Sequence, residues 1–64
     1  MLKIQFTTSG AAFQNPYTGK KDPVCEEYEC ARILKRIAKE IEFYGARSGP
    51  IMDINGNKIG EWSI

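Results

Sequence analysis

The sequence contains no histidine, the side chain most often used as a general base near neutral pH. Without an imidazole it cannot assemble a Ser/His or Cys/His pair, in which a neutral base takes the nucleophile's proton near neutral pH. Cys25 and Cys30 stand five residues apart. On one helix that offset turns them ~140° from each other, so their Cβ vectors diverge and an internal disulfide is not expected. The spacing also misses the two-residue gap of paired zinc thiolates, and a four-ligand site would have to draw on carboxylates. Cys30 is then expected as a small core residue and Cys25 as a first-turn thiol. Neither a metal nor any other cofactor is expected.

Two groups among the carboxylates and their neighbours stand out. Glu26, Glu27 and Glu29 cluster where a helix begins, and the helix dipole favours negative charge there. Asp53, Asn55 and Asn57 alternate around Gly56 like part of a calcium loop, but the twelve-residue pattern and its closing glutamate are missing. Turn chemistry accounts for them. No glycine-rich phosphate loop is present, and the chain is not expected to be an enzyme.

The one constellation with a chemical bias is basic. Arg32, Lys35, Arg36 and Lys39 recur at i, i+3, i+4 and i+7, which places them together on the outer face of a helix. Lys20, Lys21 and Arg47 extend this strip if the preceding loop and the helix end fold toward it. Such a strip can dock nucleic acid or an acidic protein. Against this, Glu29, Glu40 and Glu42 flank it at pairing distance, Arg36 with Glu40 for instance, as on an ordinary solvated helix face. Tyr17, set among Asn15, Pro16, Thr18 and Gly19 as in an exposed turn, is expected either to face a partner or to anchor the loop, while Phe13 is expected to anchor the same loop to the core.

These residues need elements to position them. The longest regular signal runs from Asp22 to Gly45 and predicts one amphipathic helix. Asp22 is a suitable N-cap, Pro23 at the first helical position forfeits no hydrogen bond, and Gly45 supplies a left-handed stop. Cys30, Ala31, Leu34, Ile37, Ala38, Ile41 and Tyr44 form the expected inner stripe, centred on Leu34, Ile37, Ala38 and Ile41. Leu2 to Thr8 alternates apolar and polar residues as a half-buried strand does. Ser9 to Lys21 is expected as a long loop. After Pro50, Ile51 to Ile54 is expected as a short strand, Asn55-Gly56 as a tight hairpin turn with positive φ at both residues, and Lys58 to Ile64 as the returning strand with Trp62 inward. Gly60 is expected to let the helix or Trp62 approach closely.

The predicted fold class is α+β: a single small β-α-β-β domain over residues 1–64, with a three-stranded sheet packed on one amphipathic helix. The C-terminal strand is expected in the centre, antiparallel to both neighbours because antiparallel pairing is commoner, while an order with the second strand in the middle is equally allowed by right-handed crossover rules. At 64 residues the chain sits near the lower limit for independent folding. A formal net charge of +1 excludes a nucleic-acid mimic and a strongly cationic binder alike. With no apolar run long enough for a bilayer and no signal-peptide pattern, the chain reads as cytoplasmic and not membrane-bound.

Three blocks together carry a resemblance: Ala11 to Phe13 (AAF) after the first strand, Ala31 to Leu34 (ARIL) in the helix, and Asp53 to Gly60 (DINGNKIG) closing with Trp62. The pattern resembles a family of short, functionally uncharacterised proteins of bacteriophages and prophages. The loop from Gln14 to Lys21 is longer here than in that family. The resemblance implies an accessory role in a mobile element and supplies no catalytic residues. The leading expectation is a non-enzymatic protein-binding module acting on a host or phage protein, conceivably one of a defence system. The alternative is nucleic-acid binding through the basic helix face. A homodimer is compatible with either, since a small sheet has open edges.

Overall fold

The computed structural model describes residues 1–64. Its elements follow the order β1 (Lys3–Phe6), a 3₁₀ turn (Ala11–Phe13), α1 (Pro23–Tyr44), β2 (Ser48–Met52) and β3 (Lys58–Ser63). The strands form one antiparallel sheet in the order β1-β3-β2, with α1 against one face. This is the expected α+β layering with the C-terminal strand in the centre.

The helix forms where its caps require. The Asp22 carboxylate accepts from the Val24 N–H at 2.9 Å, Pro23 opens the first turn, and Gly45 at φ 63° closes the last by donating to the Ile41 carbonyl. An Asn15 side-chain bond and then the Val24 amide hold the Asp22 carboxyl below the ordinary aspartate value.

The face that α1 buries differs from the expected one. Glu29, Ile33 and Ile37 are its buried residues, with Cys30 and Ile41 half-buried beside them, whereas Leu34 is 47% exposed and Ala31, Ala38 and Tyr44 are exposed. The stripe is therefore rotated by less than one residue step toward Ile33. Its axis is the i, i+4 row 29-33-37-41, which contains a glutamate and so does not look apolar in sequence. The core is Phe13, Ile33, Ile37, Ile51 and Trp62. Phe13 reaches it from the 3₁₀ turn and stacks near Phe6, with ring centroids 6.4 Å apart.

Three further expectations shift. β2 starts at Ser48 and ends at Met52, so Pro50 lies within a strand and Ile54 beyond it. The turn is also longer than Asn55-Gly56. Gly56 donates to the Asp53 carbonyl, Asp53 N–H donates to the Asn57 carbonyl, and only Gly56 has positive φ (84°). Residues Ile54, Asn55 and Gly56 thus form a three-residue loop in which Gly56 alone needs the left-handed conformation. Gly60 does permit a close approach, but of the β1 backbone rather than the helix or Trp62: an added Cβ would overlap the Gln5 carbonyl oxygen and lie 2.6 Å from the Phe6 Cα. Finally, Ser9 to Lys21 is more ordered than a plain loop. Beyond its 3₁₀ turn, Gln14 and Lys21 form a β-bridge that closes an inner turn, where Asn15 N–H donates to the Lys20 carbonyl at 2.8 Å and Gly19 N–H to the Asn15 carbonyl at 2.8 Å.

The rotated stripe is directly testable by urea denaturation. Ile33→Ala and Ile37→Ala are each expected to cost about 2–4 kcal/mol, and Leu34→Ala less than either, because half of its side chain is not covered by its own chain.

Candidate functional site

The basic strip is not the continuous surface its spacing suggests. The Arg32 guanidinium turns inward, where its Nε bonds the Glu29 carboxylate and its Nη2 donates to the Met52 carbonyl at 3.4 Å. The Glu29 bond raises the Arg32 pKa further above its ordinary range. Arg36 pairs with Glu40 at 3.4 Å, the pairing that the i, i+4 spacing suggests. Lys35 and Lys39 are exposed and belong to no ion pair. Lys21 pairs with Glu26 at 2.8 Å, and Lys20 is exposed on the loop. Tyr17 projects into solvent from the tip of the inner turn, whose shape is set by Asn15 Oδ1 accepting from the Tyr17 N–H at 2.8 Å. Of the seven, Arg32 is therefore turned onto Glu29, Lys21 and Arg36 are paired while still exposed, and Lys35, Lys39, Lys20 and Tyr17 stand exposed outside any ion pair.

What it does bring together lies at the start of α1. Glu29 is 3% exposed, and its carboxylate is shared between two elements: Oε1 takes Arg32, and Oε2 accepts from the Ile54 N–H at 2.9 Å. The hairpin loop is thereby tied to the helix. On the loop's own side Asp53, also buried, accepts at Oδ1 from the amides of Asn55 and Asn57, each at 2.9 Å, and at Oδ2 from the Asn57 side chain at 3.3 Å. The Asn57 amide, ahead of the other contacts, holds the Asp53 carboxyl below the ordinary aspartate value. Both carboxylates have their oxygens committed to the fold, which makes them frame rather than reagents.

That frame carries an apolar surface. A groove of about 400 Å³ is lined on one side by Ala11, Ala12 and Pro16, on another by Val24, Cys25 and Tyr28, and on a third by Ile54. Val24, Tyr28 and Ile54 are 71%, 74% and 65% exposed. Val24 and Tyr28 are an i, i+4 pair on the outer helix face, and Ile54 is held beside them by the Glu29 bond to its own amide. Sequence reasoning missed this trio. Two apolar residues at i, i+4 outside the inner stripe were a signal for Val24 and Tyr28; nothing in the sequence shows that Ile54 joins them. The thiols are both free, and burial, ahead of the neighbouring glutamates, pushes the Cys30 thiol up.

No family model, no curated protein and no solved structure matches this chain. No helix is long and apolar enough to cross a membrane.

The Glu29 tie is checked by amide hydrogen exchange. Glu29→Leu is expected to cost about 2–3 kcal/mol and to strip protection from the Ile54 amide, while Glu29→Gln keeps an acceptor oxygen and should retain that protection. The Asp53 contacts predict a pH dependence. Because its folded pKa lies below its unfolded value, its contribution is fully present above the unfolded value and is lost as pH falls from about 4 through the folded pKa. Chemical denaturation from pH 7 to pH 2 should show that acid limb, and Asp53→Asn should be less stable at pH 7 with a shallower one.

Proposed function

We propose that this chain is a non-enzymatic protein-binding module, and that its binding surface is the groove framed by Val24, Tyr28 and Ile54. The observation that carries the reading is the pairing of exposure with rigidity. Three large apolar side chains stand mostly in water on a chain this small, and the elements beneath them are locked by the Glu29 and Asp53 carboxylates. Burying such a side chain fully stabilises by roughly 1.5–3 kcal/mol, and a preorganised surface loses little conformational entropy when it docks. The partner is a folded protein that offers an apolar ridge to this groove. Tyr17 stands next in sequence to the groove residue Pro16 and adds an exposed aromatic near its rim.

The absence of histidine from the chain and the structural use of Glu29 and Asp53 support a role without catalysis. The resemblance to short phage and prophage proteins directs the proposal toward an accessory of a mobile element that covers a surface on a host protein, one of a defence system being a fitting target. Nucleic-acid binding along the helix has narrower support, since it rests on Lys35 and Lys39 once Arg32 and Arg36 are paired.

Parallel captures from bacterial lysate on the immobilised protein separate the two. A specific protein should be retained by the wild type and by Lys35→Glu/Lys39→Glu, and lost with Val24→Asp/Ile54→Asp at unchanged circular dichroism. Retention unaffected by Val24→Asp/Ile54→Asp, or recovery of nucleic acid whose binding falls steeply with salt, would overturn the proposal.

A further inference from the structure

The sheet has two edges, and they are built differently. On β2 the residues Gly49 and Ile51 oppose Trp62 and Gly60, and Ile64 N–H donates to the Arg47 carbonyl at 2.8 Å. That alternation turns the backbone groups of Ser48, Pro50 and Met52 outward. This edge is blunted three times: Pro50 has no N–H to offer, the Met52 carbonyl accepts from Arg32, and the register shifts between Ile51 and Met52.

β1 has no such protection. The bond from Thr7 N–H to the Ile59 carbonyl, at 3.0 Å, sets the alternation. Lys3, Gln5 and Thr7 address β3, so the N–H and C=O groups of Ile4 and Phe6 point away from the sheet. Those groups meet no partner elsewhere in the chain: none of the turn, cap or side-chain hydrogen bonds involves them. No proline and no register shift interrupts the strand.

We infer that two copies of this chain join along their β1 strands, antiparallel, into one six-stranded sheet with both helices on the same face. The strand can pair with its own copy in a register that satisfies both outward residues. With the two-fold axis at Gln5, Ile4 of each copy opposes Phe6 of the other, and each pair exchanges both backbone bonds. Lys3 then faces Thr7, and the two Gln5 side chains meet across the axis, each able to donate and accept. An axis at Lys3 would set lysine against lysine, which is unfavourable.

The helix adds an apolar margin to the same joint. Arg36 and Glu40 share a niche with Pro50, Ile51 and Met52, so that flank of α1 lies over β2. The opposite flank, with the half-exposed Leu34, therefore lies over β1. Leu2, which shares the helix-facing side of β1 with Ile4 and Phe6, is also half-exposed. Pairing the edges brings Leu2 and Leu34 of the two copies to one seam, separate from the groove formed by Val24, Tyr28 and Ile54. A foreign strand would meet the same open edge, but only a second copy brings the same edge together with this apolar margin.

Light scattering over a concentration series, together with amide hydrogen exchange on the intact protein, tests the joint. The expected result is a species of twice 7.2 kDa in which the Ile4 and Phe6 amides are protected, with that protection falling on dilution. Leu2→Lys/Leu34→Lys should convert it to the single-chain mass and speed exchange at Ile4 and Phe6 at least tenfold. A single-chain mass at all concentrations would overturn the inference. So would a dimer in which the Ile4 and Phe6 amides exchange freely, and that measurement needs no variant to fold.

Discussion

Removing a carboxylate from water is unfavourable unless donors replace the water, and in this chain two donors from different elements meet on Glu29. One is Arg32 on the same helix; the other is the amide of Ile54 in the loop between β2 and β3. Arg32 in turn reaches the Met52 carbonyl, so a single buried charge ties α1 to the end of β2 and to the turn beyond it. Apolar packing cannot supply that fixity here. Only five hydrophobic side chains are buried, and four of them, Ile33, Ile37, Ile51 and Trp62, join the helix to β2 and β3 without reaching the hairpin tip. Hydrophobic contact is non-directional, whereas a shared carboxylate fixes the tip's position over the first turns of the helix.

The same constraint decides which surfaces are available. Turning Arg32 onto Glu29 takes one charge off the helix face, and Glu40 offsets that of the still exposed Arg36, leaving Lys35 and Lys39 as its free cations. Fixing Ile54 beside Val24 and Tyr28 gathers apolar area at one end of the molecule. The open sheet face stays polar, with Lys58 paired to Glu61 at 2.7 Å. The Lys58 bond holds the Glu61 carboxyl below its ordinary value. The molecule thus presents a polar sheet face, an apolar groove at the start of α1, exposed Phe43 and Tyr44 at its end, and one strand edge without a proline or register shift.

Local signals in the sequence proved sufficient for the elements, and long-range ones did not for their orientation. Asp22, Pro23 and Gly45 mark the helix because capping is decided within a few residues. Trp62 and Phe13 could be assigned inward from alternation and from the lack of any better use for a phenyl ring in a polar loop. The rotation of α1 could not. Leu34 and Ile33 are both good core residues, and the choice between them depends on where Glu29 finds its donors, which is a property of the hairpin. Asn55-Gly56 likewise suggested a two-residue turn until the Asp53 carboxylate is allowed to compete for the amides of Asn55 and Asn57. The groove was half legible, as an i, i+4 apolar pair whose third member comes from another element.

The bridge between Gln14 and Lys21 bears on how such a protein can diversify. Everything before it is committed, since Phe13 is buried in the core, and everything after it leads directly into the capped helix. Between the two, residues 15–20 form a closed turn whose start is fixed by the Asn15 bond to Asp22, so that the tip from Pro16 to Gly19 can lengthen, shorten or change composition without altering a contact of the core. Change at that tip is mechanically insulated from the fold, yet Pro16 places it on the rim of the apolar groove. The molecule therefore keeps its most replaceable segment beside its exposed apolar groove.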